Sequence, residues 1–274
     1  MKNILISEDL SAWGQVSMAT ALPIFTVAGI RPALMPTALL STHTGFPDNT
    51  YLDLSQQLGP ILDHWKQLEL NFDAVYLGYL GKQAIDFWLK NANSVAKKQL
   101  LLDPAMADHG KLYRGFDQAY VEKMKSLASL ADILLPNLTE ARLLLDQDLS
   151  QAESMEEAID LIEELVSKFS LKQAVITGIE LNEQEIGMMI YDQEITQLKV
   201  KRIDRAYFGT GDLFASALLA TLSNERDFLS ASQIASQFIL RAIESTKKQD
   251  PRLGPDCSQA LSWLIDELKG KCVK

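Results

Sequence analysis

The chain has 274 residues, 47% of them hydrophobic and 23% charged, with a formal net charge of −10. That length holds one large α/β domain, and the composition is that of a globular enzyme, not of a disordered or fibrous chain. No Lys/Arg-rich stripe offsets the acidic balance, which argues against a nucleic-acid partner; an anionic ligand must be met by local dipoles or a metal ion. Cys257 and Cys272 are too few for a disulfide framework, and His43, His64 and His109 are too scattered for a zinc site. The N-terminal apolar run is too short for a signal peptide and no 18-residue apolar span exists, so a cytoplasmic chain without membrane contact is expected.

In chain order, 2–6 reads as a buried strand that stops at Ser7-Glu8-Asp9. Ligands of open α/β sheets sit at the C-terminal ends of strands, which marks Glu8 and Asp9 as candidates. A helix is predicted over 16–28 and a strand over 32–40. The loop Ser41-Thr42-His43-Thr44-Gly45-Phe46-Pro47 then reads equally as a small-molecule loop or as a turn whose Ser and Thr bond their own backbone. Helix 52–70 carries His64 on its surface, strand 74–77 ends in Gly78-Tyr79-Leu80-Gly81, and helix 85–92 precedes strand 99–102. That strand runs into Asp103-Pro104, where the proline rigidifies the exit and holds a carboxylate at the strand tip, able to bind Mg²⁺ through water. Helix 116–130 and strand 133–135 lead to Pro136-Asn137-Leu138-Thr139-Glu140, in which Asn137 and Glu140 have capping-box spacing. Helix 155–169, strand 173–177 closed by Gly178, a hairpin of 186–191 and 195–200, and helices 230–247 and 258–268 complete the pattern. The repeated strand–helix alternation predicts a single α/β domain over 1–274, with a mostly parallel sheet covered on both faces.

The most informative stretch is Gly209-Thr210-Gly211-Asp212-Leu213-Phe214, a glycine-hinged turn that opens an apolar helix. Glycines let a bound anion approach the backbone, and the free N–H groups of a helix's first turn favour negative charge. Asp212 beside such a pocket either caps the helix or takes the proton of an alcohol during phosphoryl transfer. A Gly-x-x-x-x-Gly-Lys-Ser/Thr loop, the protein-kinase signatures and a dinucleotide fingerprint are all missing from the sequence.

Four stretches in this order resemble the ribokinase-like superfamily, in particular its vitamin B6 kinase branch, close to the hydroxymethylpyrimidine kinases. They are 41–46, 103–113, 136–141 and 209–214, and the likeness extends over nearly the whole chain. The resemblance implies a three-layer α/β/α fold with a small β-hairpin. It also implies ATP-dependent phosphorylation of the 5′-hydroxymethyl group of pyridoxal, pyridoxine or pyridoxamine. Asp212 would be the base, and Gly209, Thr210 and Gly211 would donate amides to the transferring phosphoryl group. Asp103 and Glu140 would sit on the Mg²⁺–phosphate side, with Asn137 and Thr177 on the ATP phosphates. Asp9, Thr44 and Tyr79 would face the pyridine. The branch further implies a homodimer, and leaves open a monovalent cation such as K⁺. Three positions depart from its pattern: Asp9 where many members have Ser, Glu8 in place of Gln, and Ala107 in place of Gly. Hydroxymethylpyrimidine kinase, or a non-catalytic ligand-binding protein on the same fold, are the alternative readings.

Overall fold

The computed structural model describes residues 2–149, 154–203, 205–247 and 249–270; Cys272 lies outside them. The first half of the chain comprises β1 (Asn3–Ser7), β2 (Leu10–Ser11), α1 (Met18–Val27), β3 (Arg31–Leu34), β4 (Ala38–Leu40), β5 (Tyr51–Asp53), α2 (Ser55–Gln67), β6 (Phe72–Leu77), α3 (Gly81–Val95), β7 (Ala96–Leu102), β8 (Ala107–Asp108), β9 (Lys111–Leu112) and α4 (Gln118–Ala128). The second half comprises β10 (Ile133–Leu134), α5 (Leu138–Leu145), α6 (Met155–Phe169), β11 (Gln173–Glu180), β12 (Glu185–Asp192), β13 (Glu194–Lys201), α7 (Thr210–Ser223), α8 (Phe228–Ser245) and α9 (Ser258–Lys269).

Eight strands form the central sheet in the order β13-β12-β11-β10-β7-β6-β1-β3, parallel from β3 through β11 and antiparallel over the β11–β12–β13 meander. Successive side chains of a strand point to opposite faces. Leu5, Val75 and Ile176 therefore join a core with α2 to α6, while Ile4, Ile6, Tyr76 and Val175 join a second core with α1, α7, α8 and α9. Both faces are thus covered, as the near-continuous apolar strands require. Side chains start several helices: Asp117, Ser154 and Asp227 each accept the N–H three residues on.

The fold class is as expected; most element boundaries shift by a few residues, and four differences have a clear physical reason. The 32–40 segment is two strands in different sheets, because Pro36 has no N–H to give; Met35 N–H bonds Ile6 O and Thr37 N–H bonds Glu8 O. Leu52 and Asp53, expected in the 52–70 helix, join Tyr51 in a strand paired with β4, and the Asp53 carboxylate, accepting Ser55 N–H, marks where helix begins. α1 starts at Met18 because Ser17 has φ 47°, outside helical space. β11 does not close at Gly178 but passes through it, with a register shift between Ile176 and Ile179. The hairpin turns on Gln193, with Asp192 opposite Glu194. His64 is exposed, as expected.

Candidate active site

Parallel strands bring the C-terminal ends of β1, β6 and β7 to one edge, and α7 begins above that edge. Ser7 is anchored there on two sides, donating its hydroxyl to Met35 O at 3.0 Å and accepting Trp88 Nε1–H at 2.9 Å. Glu8 and Asp9 leave this rigid point buried, 0% and 3% exposed. Asp9 accepts Ser11 Oγ–H at 3.1 Å, and burial lifts its carboxyl above the usual range against the hydroxyls of Ser17 and Ser11. Neither carboxylate oxygen of Glu8 has a hydrogen-bond partner. Its side chain turns to the α7 face of the sheet: a Cβ on Gly78 would lie 2.5 Å from Glu8 Oε2 and 3.4 Å from the Tyr76 hydroxyl. Burial, then the charges of Asp212, Asp9 and Asp103, push its carboxyl well up, which disfavours its ionised form.

The turn at the head of α7 is held by backbone geometry that only glycine supplies. Gly209 has φ 79°, and a Cβ on it would meet Val16 Cγ1 at 2.8 Å and Gln15 O at 2.9 Å. The N–H groups of Gly209, Thr210, Gly211 and Asp212 precede the first intrahelical bond, Leu213 N–H to Gly209 O at 3.0 Å. Asp212, half-buried, accepts one bond, from the N–H of Ser17 at 2.6 Å. Burial raises its carboxyl to about 7; the Ser17 bond opposes the rise and the Asp9 charge adds to it. Asp103, 7% exposed, reaches the same turn: a Cβ on Gly211 would sit 3.4 Å from Asp103 Oδ2. Burial and the charges of Glu140 and Asp212 hold Asp103 well above the ordinary carboxylate range.

Across the cleft, Asn137 and Glu140 form the predicted capping box of α5. Glu140 Oε2 accepts Asn137 N–H at 3.0 Å, while its Oε1 accepts Met106 N–H at 3.0 Å and Ala107 N–H at 3.4 Å. Burial, against these bonds, lifts it to about 8. The Asn137 amide caps Glu140 N–H at 2.9 Å and donates to Ala107 O at 2.8 Å. Thr177 bridges to Asn137, its N–H bonding Pro136 O at 3.0 Å. The 103–113 stretch forms the small hairpin β8–β9, whose tip is tied down by Gly110 N–H to Thr139 Oγ1 at 3.0 Å.

Thr44 and Tyr79 line one cavity of about 310 Å³ together with Tyr51, Lys82, Arg114 and Phe116. Tyr79 stacks on Phe116, ring centres 5.3 Å apart, and the Arg114 guanidinium bonds Asn49. The structure thus gathers Asp9, Asp103, Asp212 and the Gly209–Gly211 turn at one strand-end edge. Sequence reasoning missed Ser17, Tyr51, Arg114 and Phe116; only Ser17 left a local trace, as a small polar residue where a helix begins.

The model of the phosphomethylpyrimidine kinase family matches residues 60–256. The chain belongs to that family. Among family relatives, a pyridoxine kinase of Bacillus subtilis (strain 168) is 31% identical over 229 residues, covering 80% of this chain and 79% of the relative. A pyridoxal kinase structure from Lactobacillus plantarum matches with a TM-score of 0.90 and 30% identity, covering 99% of each chain. A Bacteroides thetaiotaomicron protein crystallised with pyridoxal matches with a TM-score of 0.89 and 30% identity, over 98% of this chain and 96% of that one. The fold is that of the ribokinase-like vitamin B6 kinases, and the chain is a small-molecule kinase.

Proposed function

We propose that this kinase transfers the γ-phosphoryl group of ATP to the 5′-hydroxymethyl group of a vitamin B6 vitamer, giving the 5′-phosphate. The observation that carries the reading is Asp212: one bond from Ser17 N–H orients it, a second oxygen stays available, and it titrates at about 7. A carboxylate poised there accepts the hydroxyl proton as the alcohol oxygen attacks phosphorus in line and the bond to ADP breaks. The amides of Gly209, Thr210 and Gly211 hold the transferring oxygens, pre-oriented at the head of α7. Asp9, Thr44 and Tyr79 face the pyridine, with Asn137 and Thr177 on the ATP phosphates.

Mg²⁺ fits this site as an ion shared with the nucleotide. Among the described residues no group of three or more His, Cys, Asp or Glu is arranged to hold a metal, and Mg²⁺ typically keeps its waters and binds through one or two carboxylates plus substrate phosphates. Asp103, beside Gly211, is the carboxylate placed for it; Glu140 joins through water only by giving up one of its three backbone bonds. When bound, the ion neutralises phosphate charge. The chain acts as one domain and as a homodimer in the cytoplasm, a reading supported by Leu39 and Leu52, exposed and directly opposite each other across β4 and β5. Among the described residues no helix is long and apolar enough to cross a membrane.

Hydroxymethylpyrimidine phosphorylation is the second reading, favoured by the description of the matching family. The test is ATP-dependent phosphorylation of pyridoxal, pyridoxine, pyridoxamine and hydroxymethylpyrimidine, each run in K⁺ and in Na⁺. Turnover of the B6 alcohols at least ~10-fold above the pyrimidine supports the first reading. The reverse ranking supports the second, and no turnover of any alcohol leaves a ligand-binding protein.

A further inference from the structure

His43 joins three segments that lie far apart in the sequence. Its Nδ1 lies 3.1 Å from Gly45 N–H and therefore accepts, so Nδ1 is unprotonated and Nε2 carries the hydrogen. Nε2 in turn donates to the carbonyl of Arg252 at 2.6 Å. One neutral tautomer satisfies both partners. The ring also packs tilted on Phe208 with centres 4.8 Å apart, and edge-on to Phe46 at 5.0 Å. The Arg252 guanidinium covers Phe46 at 4.3 Å. Gly45 permits this closeness: a Cβ there would meet His43 Cε1 at 2.6 Å and Phe208 Cε1 at 2.9 Å.

The segments so joined are those of the acceptor half. Phe208 precedes Gly209 and bonds Pro251 O through its N–H at 3.3 Å. Leu253 O accepts Gln15 N–H at 2.6 Å, and two residues further Ser17 N–H holds Asp212. The Arg252 carbonyl therefore sits in a chain of contacts running from the Thr44 loop to the glycine turn and to the base.

We propose that His43, as its Nε2–H tautomer, is a positioning residue that locks the acceptor loop carrying Thr44 onto the phosphate-holding turn. The proposal rests on the reading of Gly209–Asp212 as the reaction site. Protonation at Nδ1 would set two donors against each other at Gly45 and release one end of the lock. Arg252 and Asp250 are the charged groups facing the imidazole; burial and Arg252 disfavour the imidazolium, while the Arg252 carbonyl and Asp250 favour it, and the net direction is downward.

Three variants separate the two bonds. His43→Gln keeps a donor at the reach of Nε2, His43→Asn keeps only an acceptor at the reach of Nδ1, and His43→Ala keeps neither. The expected result is a KM for the alcohol raised roughly 5- to 10-fold in His43→Asn and His43→Ala, the loss of about one hydrogen bond, with rescue in His43→Gln and a KM for ATP within about twofold throughout. Equal behaviour of the Gln and Asn variants, or an unchanged KM for the alcohol in all three, overturns the proposal. If His43→Ala does not fold, the Gln and Asn pair carries the comparison. Independently of turnover, the nitrogen NMR shifts of the wild-type imidazole at neutral pH should show the Nε2–H tautomer. An Nδ1–H tautomer or an imidazolium there overturns the lock even in a fully active kinase, whereas the Nε2–H tautomer in a protein with no kinase activity refutes the reaction reading alone.

Discussion

The two halves of the cleft use the same residue types in opposite ways. At the head of α5, proposed as the nucleotide side, Glu140 spends its oxygens on three backbone N–H groups and the Asn137 amide is committed at both ends, so these side chains fix the path of the chain. On the acceptor side, Glu8 has no partner and Asp212 has one. A carboxylate consumed by backbone donors is held in one place; a carboxylate with a spare oxygen can take a proton from a bound alcohol. The contrast also explains how an acidic cleft can take an anionic nucleotide. Burial disfavours the charged forms of Glu8, Asp103 and Asp212, which lessens the negative charge a nucleotide meets, and Asp212, pushed up to about 7, changes state near neutrality.

The sharpest way to break the contrast is to remove the exchanging proton. Asp212→Asn should lower kcat by ~10²–10⁴ while nucleotide affinity stays within a few-fold, because the amides remain. A variant keeping more than half of wild-type kcat would take Asp212 out of the base role. Next in size is Asp9, an acceptor where many of the branch carry a hydroxyl. Donor-bearing pyridoxamine and pyridoxine should exceed pyridoxal in kcat/KM by roughly 10- to 100-fold, the worth of a charge-assisted hydrogen bond, and Asp9→Ser should narrow that ratio. An unchanged ranking would make Asp9 a partner of Ser11 and Ser17 only.

Glu140 tests the other half. Glu140→Ala strands three buried N–H groups, and its thermal midpoint should fall by roughly 5–10 °C. Asp103→Ala should instead raise the Mg²⁺ needed for half-maximal rate while its midpoint moves less. Equal Mg²⁺ dependence in wild type and Asp103→Ala would remove Asp103 from the metal side. The smallest effect is on pH and stability. A folded-state carboxyl at about 7 binds its proton more tightly than the unfolded chain, whose Asp titrates near ~4. Its contribution is therefore full below about pH 4 and is lost as pH rises through about 7. Asp212→Asn should melt roughly 2–5 °C higher than wild type at pH 8, and the gap should close on acidification. A gap that widens in acid would contradict the assignment.

The parts legible in the sequence are those set by local chemistry. The capping box of Asn137 and Glu140 was readable because its two bonds span three residues, and the Gly209–Asp212 turn because its glycines and acid are contiguous. Strand alternation foretold the layers. Contacts closed by the fold left no such trace: Ser17 reaches Asp212 across 195 positions, and His43 reaches Arg252 across 209. The split of 32–40 into β3 and β4 was hidden because apolar residues run on through Met35-Pro36, and only the second sheet shows where pairing changes.

The claim that Asp212 works as an ionised base is tested most directly by kcat/KM for pyridoxine as a function of pH, in wild type and in Asp212→Asn. A base that must be unprotonated predicts a wild-type rate falling tenfold per pH unit below about 7, and a variant whose small residual rate lacks that limb. A flat wild-type profile between pH 5 and 8, or the same acid limb in both proteins, would contradict it.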